Sequence, residues 1–149
     1  MSLAINKLAY YNYQIMDTFE AGLVLSGPEV KAVKNGGVNL KGSYINIKDD
    51  RQAWLVKAHI APYQPAQLVQ RNYDPYQERR LLLNRKELKT LFGKSKEAGI
   101  TVVPLKVYLK HGLIKLEIGI ARGKKKYDKR ETIKKRDFER RKRGEINIF

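Results

Sequence analysis

Apolar and polar residues alternate along much of the first 121 residues, a pattern typical of β-strands that are buried on one face. The clearest case is a pair of segments, 103–110 and 114–121, in which nearly every second residue is Val, Leu or Ile. Between them stands His111-Gly112, which favours a tight turn. The two segments predict an antiparallel hairpin. Pro104 lacks an amide hydrogen and must lie where the sheet needs no hydrogen bond.

The same alternation predicts strands earlier in the chain. A first strand is expected over 6–15, where alternate residues from Tyr11 to Ile15 share one face. We expect a bend at 19–22 and a short buried strand at 23–25.

A second hairpin is predicted from segment 44–48, which alternates Ile with polar residues and returns through 53–60. The residues of the returning strand that are expected to point inward are Trp54, Val56, Ala58 and Ile60. Segment 61–77 follows and contains three prolines, so it predicts a long crossing loop.

Two helices are predicted from their capping residues. Two segments match the capping box, in which a cap residue is followed three positions later by Glu: Ser26 with Glu29, and Asn84 with Glu87. Glycines after each segment predict that the first helix ends at 35–37 and the second near Ala98. Lys31 and Lys34 fall on the exposed side of the first helix.

Five or six antiparallel strands, two helices and no βαβ rhythm predict a mainly β domain over residues 1–121. Strands of this size close best as a small barrel with helices at an end or a side. Residues 122–149 lack a continuous apolar stripe and cannot pack as a core helix. Their acid–base pairs at i,i+4 favour a helix only weakly, so we expect a basic tail that is disordered until a polyanion binds it.

Charge points to the class of partner. The chain holds 31 Lys and Arg against 15 Asp and Glu, a formal net charge of +16, and residues 122–149 supply +8 of it. Such an excess predicts a polyanionic partner. No apolar run is long enough to span a bilayer, and the N-terminus lacks the apolar region of a signal peptide. A nucleic acid in the cytoplasm is therefore favoured over a membrane.

Catalytic and metal chemistry are not expected. Cysteine is absent, and the only histidines are His59 and His111, so the chain offers too few soft ligands for zinc. Neither histidine has an adjacent acid in the sequence to orient it as a catalytic base. We predict a binding protein that is not an enzyme and needs no metal or cofactor.

Tyrosines interleaved with Lys and Arg suit an RNA with unpaired bases, because the rings stack on bases while the cations contact phosphates. Each ring could equally complete the core with its hydroxyl at the edge. The tyrosines concerned are Tyr10, Tyr11, Tyr44, Tyr63, Tyr73, Tyr76 and Tyr108. In the tail, Tyr127 stands among lysines and arginines, where stacking on a base is the better explanation.

Several short motifs occur in an order that closely resembles the bacterial SsrA-binding protein family, small protein B. They are Asn6-Lys7 with Tyr13, Glu20-Ala-Gly22, Gly27 with Glu29-Val-Lys31, Ser43-Tyr44, Arg80-Leu-Leu-Leu-Asn84, Thr101-Val-Val-Pro-Leu105, and Gly123-Lys-Lys125 with Asp128-Lys-Arg130. No single motif is decisive, but the ordered set spans nearly the whole chain.

The resemblance implies an OB-like barrel that binds the tRNA-like domain of transfer-messenger RNA (tmRNA). It implies delivery to ribosomes stalled without a stop codon, with the tail helical in the empty mRNA path of the small subunit near the decoding centre. Elongation factor Tu with alanyl-tmRNA would share the complex, and a monomer is expected. The alternatives are a structural ribosomal protein or a generic OB-type binder of single-stranded nucleic acid.

Exposed charge and the resemblance together nominate the site residues. For RNA binding they are Asn6, Lys7, Glu20, Lys31, Lys34, Arg80, Leu82, Lys124 and Lys125. For the ribosome-binding tail they are Lys126, Tyr127, Asp128, Lys129, Arg130, Lys134, Lys135 and Arg136. Glu20 could accept from base amino groups or hold a neighbouring Lys or Arg. Leu8 and Gly37 stand where the family often has basic residues, and the apolar ending Ile146-Asn-Ile-Phe149 has no assigned role.

Overall fold

Nine strands and three helices make up the fold in a computed structural model that describes residues 2–63 and 72–124. The strands are β1 Ser2–Ile5, β2 Tyr13–Leu23, β3 Val38–Asn39, β4 Tyr44–Ile47, β5 Ala53–Val56, β6 His59–Ile60, β7 Arg79–Leu82, β8 Ile100–Lys110 and β9 Leu113–Gly123. The helices are α1 Lys7–Asn12, α2 Gly27–Lys34 and α3 Arg85–Ser95.

Seven strands form one antiparallel sheet in the order β1-β8-β9-β2-β7-β5-β4, and β3 pairs with β6 in a small second sheet. The large sheet curls, so that β4 at one edge lies against β8 near the other edge. Apolar side chains from the inner face fill the core, including the fully buried Leu55, Leu116 and Ile118. The prediction of a mainly β, barrel-like fold with flanking helices is confirmed.

The predicted hairpin of β8 and β9 is present. Its pairing and that of β9 with β2 are the two longest in the sheet. His111 and Gly112 make its turn with φ of 51° and 76°. Pro104 lies beside a register shift between Pro104 and Lys106, where the ladder is interrupted. The sheet therefore accommodates a proline that has no amide hydrogen to donate.

The predicted strand over 6–15 is wrong for residues 6–12, and only 13–15 lie in a strand, at the start of β2. Asn6 caps the short helix α1, because its Oδ1 accepts a hydrogen bond from the Ala9 amide at 3.3 Å. Its Nδ2 donates to the Pro104 carbonyl at 2.8 Å, which fixes α1 against β8. A helix of six residues is too short to display a period of 3.6, so the alternation of its tyrosines was misleading.

The predicted bend at 19–22 is also wrong, since these residues lie inside the uninterrupted strand β2. Gly22 has a different role there. A Cβ built on Gly22 would lie 3.2 Å from the Leu82 Cβ of the neighbouring strand β7. The glycine therefore marks a close approach between two strands. The short strand expected at 23–25 is only the end of β2, and Val24 beyond it is exposed.

The hairpin of β4 and β5 is confirmed, but its returning strand is shorter than expected. Lys57 adopts a left-handed backbone with φ of 62°, which ends β5, and the chain continues as β6 in the second sheet. Leu55 rather than Trp54 points fully inward. Trp54 is half-buried at the surface, where the Lys48 Nζ lies 4.5 Å from its ring centroid.

Both predicted capping boxes are present, at Ser26 with Glu29 and at Asn84 with Glu87. The helix that follows Asn84, α3, ends at Ser95, somewhat before the expected Ala98. A turn follows it and closes at Gly99, whose φ is +77°.

A buried ion pair joins α2 to β7. Arg79 and Glu29 are each only 2% exposed, and the Arg79 Nη2 lies 2.7 Å from the Glu29 Oε2. Arg79 also donates to the Ala58 carbonyl, and Tyr73 and Gln77 donate to the same Glu29 oxygen. Burial acts to raise the pKa of Glu29, but the Ser26 amide and the Arg79 guanidinium outweigh it and hold that pKa below its usual value. Burial and the Glu29 carboxylate raise the pKa of Tyr73 to about 12.

Close packing in the sheet predicts that Gly119→Ala lowers the free energy of unfolding by about 1–2 kcal/mol. An added Cβ would lie 2.9 Å from the Leu105 Cδ1 and 3.2 Å from the Ile15 Cγ2, and Leu105 is fully buried. Gly27→Ala is the control, because no heavy atom lies within 4 Å of its built Cβ. Urea unfolding measures both variants, and an equal effect at the two positions would contradict this account of the packing.

Candidate nucleic-acid interface

The outer face of the large sheet brings together residues from four neighbouring strands. Tyr108 of β8 pairs with Lys115 of β9, Lys115 pairs with Gly22 of β2, and Gly22 pairs with Leu82 of β7. Directly paired residues in antiparallel strands project from the same face. These four residues therefore form one row across the sheet, in which Leu82 is 56% exposed.

Residues two positions away on each strand extend this row into a surface. We define the outer face as Glu20, Gly22, Arg80, Leu82, Lys106, Tyr108, Lys110, Lys115 and Glu117. Four of these side chains are basic and two are acidic. Because the surface combines cations, an aromatic ring and an exposed leucine, it can contact phosphates and bases together.

Glu20 organises the centre of the outer face. Its carboxylate accepts a hydrogen bond from the Tyr108 hydroxyl and lies 3.2 Å from the Lys110 Nζ. The bond from Tyr108 and the charge of Lys110 hold the pKa of Glu20 below its usual value. Burial and the bond to Glu20 raise the pKa of the Tyr108 hydroxyl above its usual value. Of the two roles considered for Glu20, holding a neighbouring lysine is the one that this geometry supports.

The lysines of the outer face are held in different ways. The Lys106 Nζ lies 3.6 Å from a Glu117 carboxylate oxygen and 5.5 Å from the centroid of the Tyr108 ring. Lys110 forms an ion pair with Glu20. Both acids of this face therefore have a lysine partner, which leaves the positive charge in excess.

A second group of nominated residues lies at the other end of β2. Asn6 is buried and caps α1, Lys7 is exposed on α1, and Lys124 bonds to α1. The Lys124 amide donates to the Asn12 carbonyl at 2.8 Å, and its Nζ donates to the Tyr10 carbonyl at 3.0 Å. Tyr13, which follows α1, and Glu20 are seven positions apart on β2, a distance of roughly 23 Å. Asn6 lies nearer to the outer face, because its backbone amide donates to the carbonyl of Leu105, the neighbour of Lys106.

Lys31 and Lys34 are exposed on α2, as the sequence predicted. The Lys31 Nζ lies 5.6 Å from the centroid of the Tyr63 ring. The helix packs against β6 and not on the outer face. Lys125 and every nominated residue of the tail, from Lys126 to Arg136, lie outside the described residues.

The structure adds Lys106, Lys110 and Lys115 to the residues nominated from sequence, and it places Tyr108, one of the tyrosines considered for stacking, among them. Their outward direction followed from the alternation of β8 and β9, but their proximity to Glu20 did not, because that contact depends on the register between β2 and β9. Asn6 shows the reverse case. Its amide is occupied by α1 and Pro104, so its contribution to a site is to position α1.

Within residues 2–63 and 72–124, no group of three or more His, Asp or Glu side chains could hold a metal ion. In the same two ranges, no helix is long and apolar enough to cross a membrane.

Comparison with known proteins identifies the family. A model of the SmpB protein family matches residues 3–147. An SsrA-binding protein of Persephonella marina is 51% identical over 138 residues, which cover 93% of this chain and 89% of that protein. An SsrA-binding protein of Geobacillus kaustophilus is 48% identical over 138 residues, which cover 93% of this chain and 87% of that protein.

A solved structure agrees with these sequences. It is described as "tmRNA-SmpB: a journey to the center of the bacterial ribosome", and it is similar with a TM-score of 0.63 and 39% sequence identity, covering 83% of this chain and 88% of that one. The match supports the OB-like fold, and the names of the relatives are those of binding proteins, which confirms that this protein is not an enzyme. The chain belongs to the SmpB protein family.

Proposed function

We propose that this protein is an RNA-binding adaptor for trans-translation. Its barrel, residues 1–121, binds the tRNA-like domain of tmRNA and delivers that RNA to ribosomes stalled without a stop codon. Its tail, residues 122–149, enters the empty mRNA path of the small subunit near the decoding centre and becomes helical there. The nominated tail residues from Lys126 to Arg136 then contact the ribosome.

The observation that carries this proposal is the outer face. A row of aromatic, basic and apolar side chains crosses four strands, and Glu20 holds Tyr108 and Lys110 in fixed positions within it. A fixed arrangement of this kind suits a structured RNA, whose loops present both phosphates and exposed base edges. The names of the relatives and the tmRNA–SmpB structure support the choice of tmRNA as that RNA.

The remaining partners follow from the same proposal. Elongation factor Tu with alanyl-tmRNA joins the complex, the protein acts as a monomer, and it works in the cytoplasm, where ribosomes translate. Lys7, Lys31, Lys34, Lys124 and Lys125 lie away from the outer face or outside the described residues, and we propose them as contacts to the phosphates of a large RNA.

Sequencing the RNA that co-purifies with the protein tests the proposal. We expect one abundant tRNA-like RNA with the wild-type chain and about tenfold less of it with Lys110→Ala/Lys115→Ala, which removes two cations from the outer face. The matched control is Lys86→Ala/Lys89→Ala, which removes two exposed cations from α3 and should retain the RNA.

The rival functions give different results in the same experiment. A generic single-strand binder would return a broad mixture of RNAs. A structural ribosomal protein would co-purify with all ribosomes at fixed stoichiometry, whereas the adaptor would be substoichiometric and enriched on stalled ones. Either of those patterns would overturn the proposal.

A further inference from the structure

A half-open cavity of about 300 Å³ lies between α1, the start of β4 and the start of β8. This volume is at the lower end of the roughly 300–1,000 Å³ of small-ligand sites. Its walls combine apolar groups with side chains that can form hydrogen bonds: Leu8, Asn12, Tyr13, Ser43, Tyr44 and Val103. Thr101 also borders it, seven positions along β8 from Tyr108, which corresponds to roughly 23 Å between these two residues.

The Tyr44 ring is exposed at the wall of this cavity and carries a cation. Tyr44 is 43% exposed, and the Lys57 Nζ lies 5.9 Å from its ring centroid. An exposed aromatic ring beside a lysine provides a surface for a base and a charge for its phosphate.

The backbone at Lys57 adds an independent observation. Its φ of 62° lies in the left-handed region, which is costly for a residue with a side chain and natural for glycine. Strain of this kind is concentrated at functional sites. A glycine at this position would allow the same change of direction between β5 and β6 at lower cost, but it would remove the cation from the Tyr44 ring.

The charges around the cavity favour an anionic occupant. Lys7 is adjacent in sequence to the lining residues Asn6 and Leu8, and Lys41 is adjacent to Gly42. The Lys124 Nζ donates to the carbonyl of Tyr10, two residues before the lining residue Asn12. None of the described residues that line the cavity is acidic.

We propose that this cavity holds one unpaired nucleobase of the bound RNA, stacked on Tyr44, with its neighbouring phosphates at the surrounding lysines. The inference rests on the proposed function in that an RNA is the ligand of the barrel. It adds a second contact point at Tyr44, a residue that is not part of the outer face. An RNA that presents a base to each point at once gains affinity over an RNA that can occupy only one of them.

Filter binding of the full chain to a transcribed tRNA-like RNA, at fixed salt, tests the cavity. We expect Tyr44→Leu to weaken binding about tenfold, which corresponds to the loss of stacking on one base. Tyr44→Phe keeps the ring and should bind within about twofold of the wild type. Binding by Tyr44→Leu at the wild-type level, or equal losses in Leu and Phe variants, would overturn the proposal.

Lys57→Gly is a second test of the cavity, and it remains valid even if the Tyr44→Leu variant does not fold. Because glycine relieves the left-handed strain, we expect Tm to stay constant or rise while RNA affinity falls about threefold or more. The control Lys89→Ala removes one exposed cation from α3 and should leave affinity unchanged. An unchanged affinity of Lys57→Gly would count against the cavity.

The same measurements separate this proposal from the proposed function. If the wild-type chain binds the tRNA-like RNA no better than an unstructured RNA of equal length, the proposed function fails. A loss of affinity for both RNAs in Tyr44→Leu, but not in Tyr44→Phe, would still support the nucleobase site. If wild-type selectivity is high and Tyr44→Leu keeps full affinity, only the nucleobase site fails.

Discussion

Arg79→Met is expected to lower the free energy of unfolding by about 3–5 kcal/mol, the usual cost of breaking a buried ion pair. Arg79 donates to Glu29, to the Ala58 carbonyl and to the Tyr73 hydroxyl, and its removal leaves the Glu29 charge buried. Methionine has a similar length and no charge, so the effect reports the lost pairing more than a cavity. Urea unfolding followed by circular dichroism provides the measurement.

Arg80→Met is the matched control, since Arg80 is the next residue of the same strand and is exposed on the outer face. We expect its stability to stay within about 0.5 kcal/mol of the wild type. Its RNA affinity should fall instead, because a phosphate contact is lost. The double variant Glu29→Gln/Arg79→Met should cost less than the sum of its parts, because the unpaired charge is then absent. A cost below about 1 kcal/mol for Arg79→Met would contradict the assigned role of the ion pair.

These two adjacent arginines illustrate what the sequence could and could not predict. Alternation along β7 predicts that one of them faces inward, but a basic residue is rarely buried, so the sequence alone favours exposure for both. The partner that makes burial of Arg79 possible is Glu29, 50 residues away. That pairing depends on how α2 packs and has no local signal. The capping box did predict a role for Glu29, but that role uses the Oε1 atom, which accepts from the Ser26 amide, and not the Oε2 atom that binds Arg79.

Local signals were reliable where a short segment decides its own structure. The turn at His111-Gly112 and both capping boxes follow from a few adjacent residues, and they are present. Period-2 alternation failed at α1, where the segment was too short for a helical period to appear. The break at Lys57 had no signal at all, because a lysine gives no indication of a left-handed backbone.

The sequence predicted several residues of the candidate site but not how they contact one another. Resemblance to the family nominated Asn6, Glu20 and Leu82, while charge patterns nominated most of the lysines. Only the register of β2 with β9 brings Glu20 to Tyr108, and only the capping of α1 gives Asn6 a buried role. Because the register between distant strands is set by the whole sheet, the sequence could indicate single residues of the site but not the contacts between them.

In the proposed function, translation resumes on the reading frame of tmRNA and thereby tags the nascent chain for proteolysis. Removal of residues 125–149 is expected to abolish this tagging on stalled ribosomes while the barrel keeps its affinity for the tRNA-like RNA. The proposed domain boundary after residue 121 falls within β9, where Arg122 and Gly123 still pair with β2. The truncation therefore retains Lys124, which donates to the Asn12 and Tyr10 carbonyls. RNA affinity by filter binding and tagging in a reconstituted translation system measure the two activities separately.

The removed segment holds 11 basic and 5 acidic residues, so its loss also weakens non-specific attraction to any RNA. A chain whose residues 125–149 are shuffled keeps this charge and controls for it. We expect the shuffled chain to bind RNA like the wild type and still fail in tagging. Asp128→Ala/Lys129→Ala/Arg130→Ala should do the same with fewer changes, since an acid at the start of an induced helix can cap it. Equal loss of RNA affinity and tagging in the shuffled chain would show that barrel and tail do not act separately. Full tagging by the shuffled chain would show that the tail acts through its charge alone and not through its sequence.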